Sequence, residues 1–95
     1  KKTYYLNKDV LPTIPVPHDC IIKKICIEHK WLIFTFDNDT SYYDSVRKLS
    51  PNIRNLILKY HLSNPEDFSD ISKLHSDASV MIDAGVDYLV YEWIE

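Results

Sequence analysis

Leu32, Phe34 and Phe36 alternate with Trp31, Ile33 and Thr35 over six consecutive residues. A helix would scatter these two sets around its axis, whereas an extended chain places them on opposite faces, so this period of two demands a strand. Segment 86–94 shows the same pattern, with Val86, Tyr88, Val90 and Ile94 sharing one parity with Glu92, and Leu89, Tyr91 and Trp93 sharing the other. Segment 20–28 is rich in β-branched residues, and Ile21, Ile25 and Ile27 share a parity that Lys23 interrupts. The polar pair His29-Lys30 separates it from 31–37, which predicts a hairpin. Tyr4-Tyr5-Leu6 predicts a short edge strand, and 40–46, carrying Tyr42 and Tyr43 after an Asp37-Asn38-Asp39 turn, predicts another strand.

Elsewhere the periodicity is less decisive. Pro12, Pro15 and Pro17 exclude a helix over 9–19 and favour an extended loop. Segment 51–62 fits two templates. Ser50-Pro51 is a good helix start, and Ile53, Leu56, Ile57 and Tyr60 form a helical stripe. Leu56, Leu58, Tyr60 and Leu62 equally form a strict alternation, and our reading is a turn over 50–54 followed by a strand over 55–62. Asn64-Pro65-Glu66-Asp67 places acidic residues where a helix dipole favours them, and Phe68, Ile71 and Leu74 supply an apolar stripe, so a short helix is expected over 65–75. Segment 75–85 reads as loop. The expected fold class is α+β: a mainly antiparallel sheet of about four to six strands with one or two short helices on one side.

At 95 residues the chain is read as one small domain spanning residues 1–95. It starts at Lys1 without Met or a signal-peptide pattern and stops inside an apolar alternating segment, which favours a fragment lacking C-terminal sequence. The apolar runs are all shorter than the roughly 20 residues that span a bilayer. A net charge of −3 opposes a dedicated nucleic-acid binder, whose surface carries a basic excess. Cys20 and Cys26 sit about 20 Å apart if their segment is a strand, at roughly 3.3 Å per residue. A mutual disulfide needs Cα atoms within about 7 Å. They read as two free, buried thiols in a reducing compartment, so the expected location is cytoplasmic.

The single glycine, Gly85, excludes glycine-rich phosphate loops and nucleophile elbows. Asp37, Asp39 and Ser41 begin like a calcium loop, but Tyr42 occupies the glycine position and Lys48 that of the bidentate glutamate. His18, Cys20, Cys26 and His29 have zinc-ligand atoms without a paired-ligand spacing. No catalytic residue, metal ligand or cofactor is therefore assigned. The enzymatic alternative is a metal-dependent or hydrolytic centre on His18, Asp19 and Cys20. The nucleic-acid alternative is a helix-turn-helix over 51–62 and 65–75, with an acidic second helix that would oppose phosphate.

What remains is aromatic. Trp31, Tyr42, Tyr43, Tyr88, Tyr91 and Trp93 all fall on strand candidates, and both faces of those strands carry large apolar groups. An antiparallel sheet with one solvated face should be polar there. A second aromatic face means either a cover or a binding surface, and Tyr and Trp are favoured at interfaces. These six residues form the candidate binding surface, and a protein is the expected partner, with neither nucleic acid nor membrane. The leading expectation is a non-catalytic protein-interaction module.

The stretch Pro17-His18-Asp19-Cys20-Ile21-Ile22-Lys23-Lys24-Ile25, followed by Trp31-Leu32-Ile33-Phe34-Thr35-Phe36, resembles the opening of small bacterial domains of unknown function and of polymorphic-toxin immunity proteins. The resemblance covers about the first third of the chain. It implies a small α+β or mainly β protein and, for the immunity members, a function in binding a toxin. No functional residue carries over from it.

Overall fold

The computed structural model describes residues 1–68, 81–82 and 85–95. Five strands form one antiparallel sheet: β1 (Lys2–Tyr5), β2 (Ile22–Glu28), β3 (Trp31–Phe36), β4 (Arg54–Leu62) and β5 (Val86–Ile94), in the spatial order β1-β5-β4-β3-β2. Strands β2 to β5 therefore run as a meander, and β1 returns to pair with β5.

The hairpin, the strand choice over 55–62, the final strand and the short N-terminal strand are all present. The expectation of an α+β fold is not met. Among the described residues no α-helix reaches seven residues: Met81 alone has α-helical backbone, and the other non-strand elements are short 3-10 turns at Leu11–Thr13, Thr40–Tyr42, Asp44–Val46 and Pro65–Phe68. The fold is mainly antiparallel β. The helix expected over 65–75 is a 3-10 turn over its first four residues, and positions 69–75 lie outside the described residues. The helix-turn-helix alternative needs a helix where β4 stands.

The strand expected over 40–46 is two successive 3-10 turns instead. Short polar side chains explain this. The Asp37 carboxylate accepts the Asp39 N–H, and Asp39 Oδ1 accepts both the N–H and the hydroxyl of Ser41, at 3.1 and 2.6 Å. Such local bonds compete with ladder pairing and curl the chain.

One sheet face packs the core. Leu32, Phe34 and Phe36 of β3, Leu56, Leu58, Tyr60 and Leu62 of β4, and Leu89 and Tyr91 of β5 are buried there. Among the described residues the cover consists of loops and 3-10 turns, which contribute Ile14, Tyr43, Val46, Leu49 and Ile53, together with Met81, whose backbone is helical. Full burial of each aliphatic or aromatic side chain stabilises the fold by roughly 1.5–3 kcal/mol. Two tyrosines fasten the cover to the sheet. Tyr91 Oη donates to the Pro15 carbonyl at 2.5 Å, and Tyr43 Oη donates to the Asp37 carbonyl at 2.6 Å. Loop backbone inside a core must find such partners because no water reaches it.

With one glycine in the chain, other residues take the left-handed positions. His29 (φ 56°) opens the β2–β3 turn, Asp19 (φ 66°) precedes β2, and Asn55 (φ 50°) sits in a bulge at the start of β4. Asn, Asp and His are the non-glycine residues that tolerate this region best. A second bulge falls between Ile22 and Lys24. It accounts for the parity break at Lys23, because the extra residue shifts Ile22 onto the same side as Ile25 and Ile27.

Candidate binding face on the open side of the sheet

The described loop residues of the core cluster do not cover the other sheet face, whose central side chains are half-buried, with Val90 buried among them. Register across the strands lines up its side chains in rows. Glu28, Trp31, His61, Tyr88 and Tyr5 form the first row, one residue from each strand. Cys26, Ile33, Lys59, Val90 and Thr3 form the second. Lys24, Thr35, Ile57 and Glu92 form the third.

The first row is a continuous run of rings. His61 stacks on Tyr88 with centroids 4.7 Å apart and planes 9° apart. Trp31 meets both edge-on, at 5.1 Å from His61 and 5.7 Å from Tyr88. Tyr5 leans on the far side of Tyr88 at 5.5 Å. Edge-to-face and offset contacts of this kind suit the ring quadrupole. Asp87 Oδ1 lies 2.8 Å from His61 Nδ1 and holds the imidazole parallel to the Tyr88 ring. The row is half-buried at Trp31, His61 and Tyr88 and ends in Tyr5, which is 69% exposed.

Beside the rings lies a charged patch. Lys59 Nζ is 3.3 Å from Glu92 Oε1 and 6.0 Å from the centre of the Trp31 ring, while Lys1 Nζ approaches Glu92 at 3.5 Å. The face therefore combines flat apolar area with a fixed cation and a fixed anion, a composition suited to a protein surface.

The six aromatic residues expected to form one surface separate in the structure. Trp31 and Tyr88 touch on the open face. Tyr43 and Tyr91 are buried in the core, where burial raises the Tyr43 phenol above its ordinary pKa, partly offset by the Leu56 N–H bond. Trp93 is partly buried against the core, with its indole N–H on Glu95. Tyr42 is exposed on the far side, in the loop layer. Buried Tyr43 and Tyr91 serve packing and loop attachment in place of binding. Conversely, sequence reading missed His61 and Tyr5. Alternation in β4 already opposed His61 to Leu62 and Tyr60, but only register shows that it stands between Trp31 and Tyr88.

Of the alternative centre on His18, Asp19 and Cys20, only His18 and Asp19 line a groove of about 290 Å³, with Ser41, Tyr42, Asp44 and Ser45. His18 Nε2 is 3.8 Å from Asp19 Oδ1, and both side chains are largely exposed. Cys20 Sγ donates to the Tyr42 carbonyl at 3.3 Å. Burial pushes its thiol pKa up, a Ser45 hydrogen bond opposes that, and Asp19 adds to the rise. A raised pKa withholds the thiolate that nucleophilic chemistry needs. Among the described residues no three His, Cys, Asp or Glu side chains gather to hold a metal ion. Both cysteines are free thiols.

A larger hollow of about 420 Å³ opens beside Arg47 and Arg54, but its cations are committed. Arg47 donates to Asp44 and to the carbonyls of Pro51 and Thr40, and Arg54 to the carbonyl of Glu95. Arg47 ties the loop turns to one another, and Arg54 ties the start of β4 to the residue that follows β5. No described helix is long and apolar enough to cross a membrane. Comparison with known proteins returns no match to a protein family, to a curated protein or to a solved structure, so the geometry of the open face stands as the basis for reading function.

Proposed function

We propose that this chain is a non-catalytic protein-interaction module that binds its partner through the open sheet face, in an immunity-like role where the partner is a toxin protein. The observation that carries this reading is the row Tyr5, Tyr88, His61 and Trp31 on a face that the described loop residues of the core cluster do not cover. Its rings are held by one another and by Asp87, so little rotamer freedom is lost when a partner covers them. Trp and Tyr anchors of this kind dominate interface energetics. The Lys59–Glu92 pair would supply orientation more than affinity.

The test is capture of partner by the full chain and by Trp31→Ala, Tyr88→Ala and Tyr42→Ala, with affinity for the captured protein then measured by calorimetry. Trp31→Ala and Tyr88→Ala should each weaken binding by about tenfold or more, and Tyr42→Ala, on the far side, should leave it unchanged. Equal affinity in all four proteins would sink the assignment of the face.

A further inference from the structure

Strand β2 is one border of the sheet, and among the described residues nothing pairs with its outer edge. Which of its backbone groups face outward follows from β3, because bonding direction alternates along a strand. The Lys30 carbonyl accepts from Leu62 on the β4 side, and the Asp37 N–H donates to Ile21 on the β2 side. Trp31, Ile33 and Thr35 therefore bond toward β2, and their partners Glu28, Cys26 and Lys24 turn their backbone groups inward. Ile25 and Ile27 are left presenting N–H and C=O to the outside.

The edge is also chemically marked. Lys24, Cys26 and Glu28 alternate on the open-face side, and Ile25 and Ile27 on the core side, with Ile27 38% exposed. Neither Lys24 nor Glu28 makes an ion pair among the described residues. The bulge at Lys23 ends regular pairing on one side and the turn at His29 on the other, so the free edge is the short run from Lys24 to Glu28.

We propose that the occupant of this edge is the same edge of a second copy of this chain, paired antiparallel with Cys26 on the two-fold axis. Outward-facing residues must oppose one another, which leaves three symmetric registers. Ile25 on its own counterpart sets Lys24 against a cysteine. Ile27 on its own counterpart sets Glu28 against a cysteine and leaves Lys24 opposite the β2–β3 turn, without an acidic partner. Ile25 on Ile27 of the second copy sets Lys24 against Glu28 twice, once on each side of the axis, and an isoleucine pair twice. The last register alone satisfies both charges, and opposite charges paired across strands are stabilising. It also places the two Cys26 residues in a non-hydrogen-bonded position with Cα atoms about 4.5 Å apart, within the roughly 4.4–6.8 Å a disulfide accepts. The result is a ten-stranded sheet with two aromatic rows. The dimer does not depend on what binds the open face.

Sedimentation of the full chain tests this. A reversible dimer is expected to form over about 10 µM to 1 mM, since five residues of edge bury little area. Lys24→Glu and Glu28→Lys should each weaken it by roughly tenfold, and the double variant should restore it, because the swap recreates both pairs. Ile27→Pro, which removes an outward N–H from an edge where proline is tolerated, should abolish it while thermal unfolding stays cooperative. In Cys20→Ser, diamide should give a covalent dimer through Cys26. The two thiols lose two protons and two electrons, which reduce the N=N bond to a hydrazine as the S–S bond forms. A monomer throughout that range, a double variant no tighter than the single ones, or a dimer indifferent to Ile27→Pro would each overturn the proposal.

Discussion

Replacing Tyr43 by Phe removes one oxygen from the junction between loop and sheet. The ring is fully buried, and its hydroxyl both donates to the Asp37 carbonyl at 2.6 Å and accepts the Leu56 N–H at 3.4 Å. Leu56 lies in the bulge of β4, between the registered pairs at Arg54 and Ile57, so its N–H lacks a registered strand partner. Tyr43→Phe keeps the packing and leaves the carbonyl and the N–H without Oη. An unsatisfied buried group costs about 1–3 kcal/mol, and the Leu56 N–H is the graver loss because it has only one bond to make. For a chain of this size that lowers the melting temperature by roughly 5–15 °C. The neighbouring Tyr42 is 44% exposed, and Tyr42→Phe should stay within about 0.5 kcal/mol of the parent. Urea titration followed by tryptophan fluorescence compares the two. Equal midpoints for the adjacent variants would refute the role given to the Tyr43 hydroxyl. The pH dependence supplies a second reading. Burial raises the Tyr43 pKa in the folded state, so its contribution is complete below the unfolded value of about 10 and is lost as pH rises above it. Tyr43→Phe should therefore flatten the alkaline limb of the stability curve.

Asn55, at φ 50°, should accept Gly without loss, whereas Asn55→Val should cost about 1–2 kcal/mol in urea titration, because a β-branched side chain is strained in the left-handed region. Bonds from the Ser41 hydroxyl and N–H hold the Asp39 pKa below its ordinary value. Its contribution is present above the unfolded value of roughly 4 and is lost as pH falls through the folded one. In Ser41→Ala, an NMR titration should show the Asp39 carboxyl moving up while the backbone bond keeps part of the depression.

Much of the sheet was legible in the chain because alternation is local. Segment 31–37 offers only one extended reading. In segment 55–62 the alternation of Leu56, Leu58, Tyr60 and Leu62 and a helical stripe fit the sequence equally, and the structure takes the strand. The 40–46 error has an equally local cause: Asp37, Asp39 and Ser41 bond the backbone around them, and the aromatic content of Tyr42 and Tyr43 outweighed that signal. The candidate surface was harder to read. Tyr42 and Tyr43 are neighbours in the chain, yet one lies in solvent and the other in the core, since a curled loop buries whichever side chain meets the sheet.

Alternation alone establishes that this chain builds strands with two large-residue faces, and the absence of all but one glycine removes phosphate loops whatever the fold. Neither property says which face is open. That choice rests on where two proline- and aspartate-rich loops pack and on a register joining residues as distant as Tyr5 and Tyr88. Tyr91 and Tyr88 belong to the same strand and the same residue type, yet one is fastened under the Pro15 loop and the other stacks in the open row. Face assignment depends on contacts between segments far apart in the chain, and only the assembled sheet brings them together.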